Sequence, residues 1–286
     1  MCAVSSPPSA PPIRRTAHRG VRRARLACGS RLFDHVRSRG EPGRERFRLH
    51  APDSCNNYGI AVRALVVGNR GDADPGLVGG RLAELGFSFE RNEREYPREW
   101  KPLAAIDLVL LLGSEWSVYW ESNQKEVAAE SDLVRSAMQR GVPIFAICYG
   151  AQLISHALGG TVSRSAQPEL GWHAVSSTAL PDLLQHTWLQ WHYDIFSVPP
   201  SLKVLASNDV GPQAMSGKRL FATQFHPEAT TEIIERWSSG TGTAELHKHG
   251  LDPKTLVESS QEHVARTARI TPKLVDWFLA FANNSA

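Results

Sequence analysis

The sequence predicts an α/β fold, a doubly wound and mainly parallel sheet with flanking helices. Three observations carry that expectation. From Ile60 onward, strand-like and helix-like segments alternate, the order that builds a parallel sheet. Ile106–Leu112 is a continuous apolar run, as expected of a strand buried on both faces. Pro143–Ile147 is a second such run, and it leads straight into Cys148 and a helical pattern.

In chain order, Ile60–Val67 reads as a buried strand ending at Gly68-Asn69. Leu77–Leu85 reads as a helix stopped by Gly86, and Gln124–Arg140 as an amphipathic helix closed by Gly141. Gln152–Leu158 is a helix ended by Gly159-Gly160. Short strands follow around Val162, then at Trp172–Val175, Val204–Ala206, Ala214–Met215 and Phe221–Gln224. Thr230–Trp237 begins a closing helix. Beyond Ser238 the pattern weakens. Gly240-Thr-Gly-Thr reads as a loop, and Pro253–Ser260 and Pro272–Ala282 as two helices packing on the body. The expected organisation is an N-terminal extension over 1–58, a domain over 60–237 and a helical extension over 238–286.

Composition narrows the function classes. Of 286 residues, 42% are hydrophobic and 21% charged, which is ordinary for a globular chain. No apolar run approaches the roughly 20 residues of a membrane span. The net charge of +3 is unevenly held. Residues 1–50 carry twelve arginines and three acids, a net +9, leaving −6 for the rest. Any nucleic-acid reading would rest on this basic segment alone, and none is expected. The segment reads as disordered. A basic interaction arm, an organellar transit peptide and a start-site artefact compete to explain it. The artefact is favoured because Val62 opens what looks like the true start of a domain. Cys148 is the single cysteine after residue 55, so the body suits a reducing, cytoplasmic compartment.

Cys148 occupies a position with chemical consequences. A nucleophile at a sharp strand-to-helix turn sits at the carboxyl end of the sheet, where doubly wound folds bind ligands. The turn needs small neighbours, and Ala146-x-Cys148-x-Gly150 follows the logic of the nucleophile elbow with alanine in the first place. Backbone N–H groups at a helix start favour negative charge, which suits a thiolate. Alone, the residue could equally be a buried structural cysteine. A second segment, Leu220–Glu228, runs from a short strand into His226-Pro227-Glu228. Extended residues i and i+2 face one side, so Glu228 can orient the His226 ring and His226 can serve as general base. Alone, this could be a surface turn. The two segments lie 78 positions apart, and the intervening strands can bring them to one sheet edge.

Together these residues resemble the class I (triad) glutamine amidotransferase family. The resemblance spans roughly Val62 to Trp237 and rests on Cys148-Tyr149-Gly150-Ala151-Gln152 and Gln224-Phe225-His226-Pro227-Glu228. Glu169-Leu170-Gly171-Trp172 and Trp191-His192-Tyr193-Asp194 are similar to the glutaminase domain of the GMP synthase branch. The resemblance implies that Cys148 attacks a glutamine carboxamide, His226 shuttles the proton and Glu228 holds His226. It also implies an oxyanion hole from the backbone N–H groups of Gly113 and Tyr149, and substrate contacts at Gln152, His192 and Asp194. Leu112–Val118 departs from the family pattern, with one glycine missing and one residue inserted. Trp172 and Trp191 read as core aromatics. His247, Lys248 and His249 lack the carboxylate or cysteine partners of a convincing metal site, and Gly79-Gly80 and Gly159-Gly160 match no phosphate-binding loop. No metal or cofactor is expected.

Three functions remain. The first is a glutaminase that delivers ammonia to a synthetase partner, since no ATP-using domain is expected after residue 237. The second is a stand-alone γ-glutamyl peptidase with the same triad. The third is a non-catalytic binding or regulatory domain, disfavoured because all three triad residues are present. The heat-shock-type cysteine hydrolases, in which histidine follows the cysteine, are disfavoured by Tyr149.

Overall fold

The computed structural model describes residues 62–285, and the expected extension over 1–58 lies outside them. The elements are β1 (Val62–Gly68), α1 (Gly76–Glu84), β2 (Phe87–Glu93), β3 (Leu108–Leu111), α2 (Gln124–Arg140), β4 (Ile144–Ile147) and α3 (Tyr149–Ala157). They continue as β5 (Val162–Ala174), α4 (Pro181–Leu184), β6 (Thr187–Phe196), β7 (Lys203–Ser207), β8 (Pro212–Gly217) and β9 (Leu220–Thr223). The chain closes with α5 (Thr231–Trp237), α6 (Thr241–Lys248) and α7 (Pro253–Asn284).

Seven strands form one sheet in the order β2-β1-β3-β4-β9-β8-β7. The first five are mutually parallel, and β8 and β7 add antiparallel edges. The mainly parallel α/β sheet is the expected fold class. Its central strands are apolar throughout because both faces are covered. Side chains alternate between faces. Ala64, Val66, Leu108, Leu110, Phe145 and Ile147 enter one layer with α1 and α7. Leu65, Val67, Val109, Leu111, Ile144 and Ala146 enter the other with α2 and α3. β5 and β6 form a separate antiparallel pair with an irregularity between Arg164 and Glu169.

Several elements differ from the sequence expectation. β2 has no counterpart in it. β2 is an edge strand whose Ser88, Glu90, Arg91 and Glu93 dilute the apolar signal. The segments expected around Val162 and at Trp172–Val175 are one strand of 13 residues, β5, and the Trp191–Asp194 segment is a strand as well. Gly240–Thr243 is not a loop, since α6 begins at Thr241. Glycine and threonine are weak helix formers, but here glycine allows close packing: a Cβ on Gly242 would lie 1.6 Å from the Trp237 carbonyl oxygen. The two expected C-terminal helices are one helix of 32 residues with Pro272 inside it. An interior proline costs about 3 kcal/mol. It is offset by burial of Leu274, Val275 and Phe278 on the sheet, each worth about 1.5–3 kcal/mol. Among the described residues, no helix is long and apolar enough to cross a membrane.

Candidate active site

β4 delivers Cys148 to the carboxyl edge of the sheet, and α3 starts at the next residue, earlier than the expected Gln152. The elbow is tight. Cys148 takes φ 53° and ψ −109°, a left-handed value that costs a non-glycine residue about 1–3 kcal/mol. The Cys148 N–H donates to the Thr223 carbonyl of β9 at 2.7 Å, and its carbonyl accepts from Ala151 and Gln152 at 2.9 and 3.1 Å. These bonds hold the strained residue between two neighbouring elements. Gly150 is fixed by crowding, because a Cβ there would lie 2.6 Å from the Leu111 carbonyl oxygen.

His226 follows β9, with its backbone N–H bonded to the Leu189 carbonyl of β6 at 2.9 Å. Its Nδ1 lies 2.7 Å from Glu228 Oε1. A carboxylate only accepts, so Nδ1 carries the proton. His226 Nε2 and Glu228 Oε2 are buried with no hydrogen-bond partner among the described residues. Trp237 packs edge-on against the ring, centroids 4.8 Å apart. Burial alone would lower the His226 pKa, but Glu228 and Cys148 outweigh it and push the imidazole up to about 10. The carboxylate of Glu228 thus favours the protonated form of the ring.

Cys148, His226 and Glu228 line one cleft of about 330 Å³ together with Gly113, Gln152 and Asp194. A Cβ on Gly113 would sit 3.1 Å from His226 Cε1 and 3.6 Å from Cys148 Cβ, so this backbone lies directly against both. Tyr149 is fully buried on the other side of the turn. It opens α3, and first-turn N–H groups have no acceptor within their own helix. Gln152 is buried, its amide 3.4 Å from the Asp194 carbonyl and 3.3 Å from Gln224 Oε1.

The far wall is β6. His192 lines the cleft, but both its ring nitrogens are engaged. Nδ1 lies 3.0 Å from the Asp194 carbonyl and Nε2 3.1 Å from Glu169 Oε2. Glu169 also accepts from Asn208 at 2.6 Å and Gln213 at 3.0 Å. Burial would raise the Glu169 pKa, yet His192, followed by His173 and Asn208, outweighs it and lowers the value. Asp194 accepts from the Ser117 hydroxyl and from Tyr119 at 2.8 Å.

Several cleft features were not among the expected site residues. Gln224 places its amide 3.6 Å from Cys148 Sγ, and the Trp191 carbonyl lies 3.9 Å from the same sulfur. Trp191, expected as a core aromatic, packs against the cluster around Leu246 and also lines the cleft, its indole N–H bonding Glu245 of α6 at 3.1 Å. Trp172 packs under α7, stacked on His263 and bonded to Ser260. Gln224 carried a sequence signal in its place two residues before His226, and Trp191 one in its place beside His192.

The fold and the cleft define a doubly wound α/β protein with an elbow cysteine facing a buried histidine–glutamate pair. The chain belongs to the class I glutamine amidotransferase family, whose model, "Glutamine amidotransferase class-I", matches residues 80–235. Among curated proteins, a GMP synthase [glutamine-hydrolyzing] of Aeropyrum pernix is 34% identical over 206 residues, covering 66% of this chain and 38% of that protein. One of Bdellovibrio bacteriovorus is 31% identical over 172 residues, covering 58% and 32%. The chain thus spans about a third of the length of these relatives. A crystal structure of a glutamine amidotransferase from Thermotoga maritima matches with a TM-score of 0.70 at 24% identity, covering 77% of this chain and 99% of that one. One from Methylobacillus flagellatus matches at 0.65 and 20% identity, covering 78% and 95%. At these identities the structures show the fold alone.

Proposed function

We propose that the chain is a glutaminase in which Cys148 is the nucleophile, His226 the proton shuttle and Glu228 its orienting carboxylate. The ammonia is delivered to an acceptor site on a partner synthetase. The single observation that carries this reading is the 2.7 Å bond that aims the buried His226 ring, with its other nitrogen free, in the cleft that holds Cys148.

The Cys148 thiolate adds to the carboxamide carbon, and the carbonyl electron pair moves onto oxygen. Donors aimed at that oxygen stabilise the tetrahedral state, and the N–H groups of Gly113 and Tyr149 are the candidates. The imidazolium of His226 gives its proton to nitrogen, the C–N bond breaks and ammonia leaves a γ-glutamyl thioester. His226, now neutral, takes a proton from water as the water oxygen attacks. The C–S bond then breaks and glutamate departs. Gln152, His192 and Asp194 form the wall against which the amino-acid end is seated. Since His192 and Asp194 have their side-chain groups engaged, their part is to shape that wall.

A second reading, a stand-alone γ-glutamyl peptidase, is favoured by the cleft volume of about 330 Å³, in the range of pockets that hold more than a single amino acid. Release of glutamate from glutamine and from a γ-glutamyl dipeptide, by the parent and by Cys148→Ala, separates the two. Cys148-dependent ammonia from free glutamine is the expected result. Release from the dipeptide alone would move the assignment to the peptidase, and turnover surviving in Cys148→Ala would overturn both.

A further inference from the structure

Arg94, immediately after β2, is a fully buried cation that the chemistry above does not use. Its Nε donates to Glu130 of α2, its Nη1 to Asn69 Oδ1 at 2.6 Å and to the Gly113 carbonyl at 3.0 Å, and its Nη2 to the Leu112 carbonyl at 3.1 Å. The guanidinium lies over the Tyr149 ring, 4.5 Å from its centroid. One side chain thus touches both residues whose N–H groups are the candidate oxyanion donors. Burying an ion pair is a poor route to stability. Its placement between two backbone carbonyls calls for another account.

The peptide plane supplies it. In a trans peptide the C=O and the following N–H point to opposite sides, and no cis peptide occurs among the described residues. With the Leu112 carbonyl on Arg94, the Gly113 N–H faces away from Arg94. With the Gly113 carbonyl also on Arg94, the Ser114 N–H does the same. Leu112, Gly113 and Ser114 line the cleft and Arg94 does not, so away from Arg94 is toward the cleft. Rotation of the 112–113 peptide would turn the N–H away from the cleft and break the bond to a buried guanidinium.

We infer that Arg94 is the positioning residue of the oxyanion site, fixing the Leu112–Gly113 backbone through its carbonyls and Tyr149 through its ring. This deepens the proposed glutaminase reading and rests on it. Arginine is needed because its planar fork offers five N–H donors in fixed directions, whereas a lysine is a point charge with three.

The test compares two reactions of Cys148 in the parent and in Arg94→Lys. Alkylation by iodoacetamide needs the thiolate and access to it but forms no oxyanion. Addition to 5-oxopentanoate, the aldehyde analogue of glutamine without its amino group, joins sulfur to the aldehyde carbon and moves an electron pair onto oxygen, which the donors must receive. Affinity for the aldehyde is read as protection from alkylation. Arg94→Lys should alkylate within about threefold of the parent, while aldehyde affinity and kcat on glutamine fall about 100-fold, the scale of losing one oxyanion donor, with KM little changed. Equal falls in alkylation and aldehyde affinity would make Arg94 merely structural and overturn the inference. So would an unchanged aldehyde affinity. If Arg94→Lys does not fold, Arg94→Met/Glu130→Met removes both buried charges at once and carries the same expectation. A parent that alkylates at Cys148 but neither binds the aldehyde nor turns over glutamine overturns the glutaminase reading itself, and this role with it.

Discussion

The two walls of the cleft are built in different ways. On one side, β4, the elbow and the turn after β9 place Cys148, His226 and Glu228 through backbone geometry. The parts are a left-handed cysteine, a bond from its N–H to Thr223, and a His226–Glu228 pair that lies on a turn, its Ala229 N–H bonded to the His226 carbonyl, rather than on the expected extended chain. On the other side, β5 and β6 are held by buried side-chain bonds among Glu169, His192, Asn208 and Gln213, with Ser117 and Tyr119 on Asp194. Within each motif of the first wall the geometry is set by adjacent residues, and the Cys148–Thr223 bond joins the two motifs. Side-chain placement is dictated by residues up to 77 positions apart. On the proposed reading, the first wall holds the reacting groups and the second seats the substrate.

The comparison can be broken at either wall. Cys148→Ala should remove glutamine hydrolysis by at least about 10⁴-fold, the scale of losing a nucleophile that acts with its base as a unit, while urea unfolding shows a native-like transition. Glu228→Gln keeps the shape at His226 but removes the charge that raises its pKa. Glutamine turnover should fall about 10²–10³-fold, within the range of general acid–base contributions. On the other wall, Asp194→Asn leaves an acceptor for only part of the Ser117 and Tyr119 pair. KM for glutamine should rise several-fold with kcat held within about threefold, as expected when only uniform binding is lost. A loss of kcat matching that of Glu228→Gln would erase the distinction between the walls.

A separate effect is on stability against pH. The folded pKa of His226, about 10, lies above its ordinary 6.5. The unfolded state therefore releases its proton first. The stabilising contribution is fully present below pH 6.5 and is lost as pH rises through 10. Denaturation midpoints of the parent should fall toward those of His226→Gln across that window, and parallel curves would contradict the assignment.

Legibility followed the same division. β3 and β4 could be read because a strand buried on both faces is a run of apolar residues, and Cys148, His226 and Glu228 because each sits in a short motif whose geometry is local. β2 could not, because Ser88, Glu90, Arg91 and Glu93 make an edge strand look like a polar segment. Arg94 lies in the same charged stretch, and nothing near it announces that Glu130, 36 residues on, will neutralise it in the interior. The α6 start was masked because Gly242 serves a contact with Trp237 that local propensity cannot report. The joining of two expected helices into α7 was hidden by Pro272, which reads as a helix start and is accommodated by packing on the sheet.

The most direct test of the proposed chemistry is to mix the protein with glutamine, quench in acid within the first turnovers and map adducts by peptide mass spectrometry. A γ-glutamyl group is expected on the peptide bearing Cys148, accumulating in step with a burst of ammonia. Ammonia release with no adduct on Cys148, or with the adduct on another residue, would contradict it.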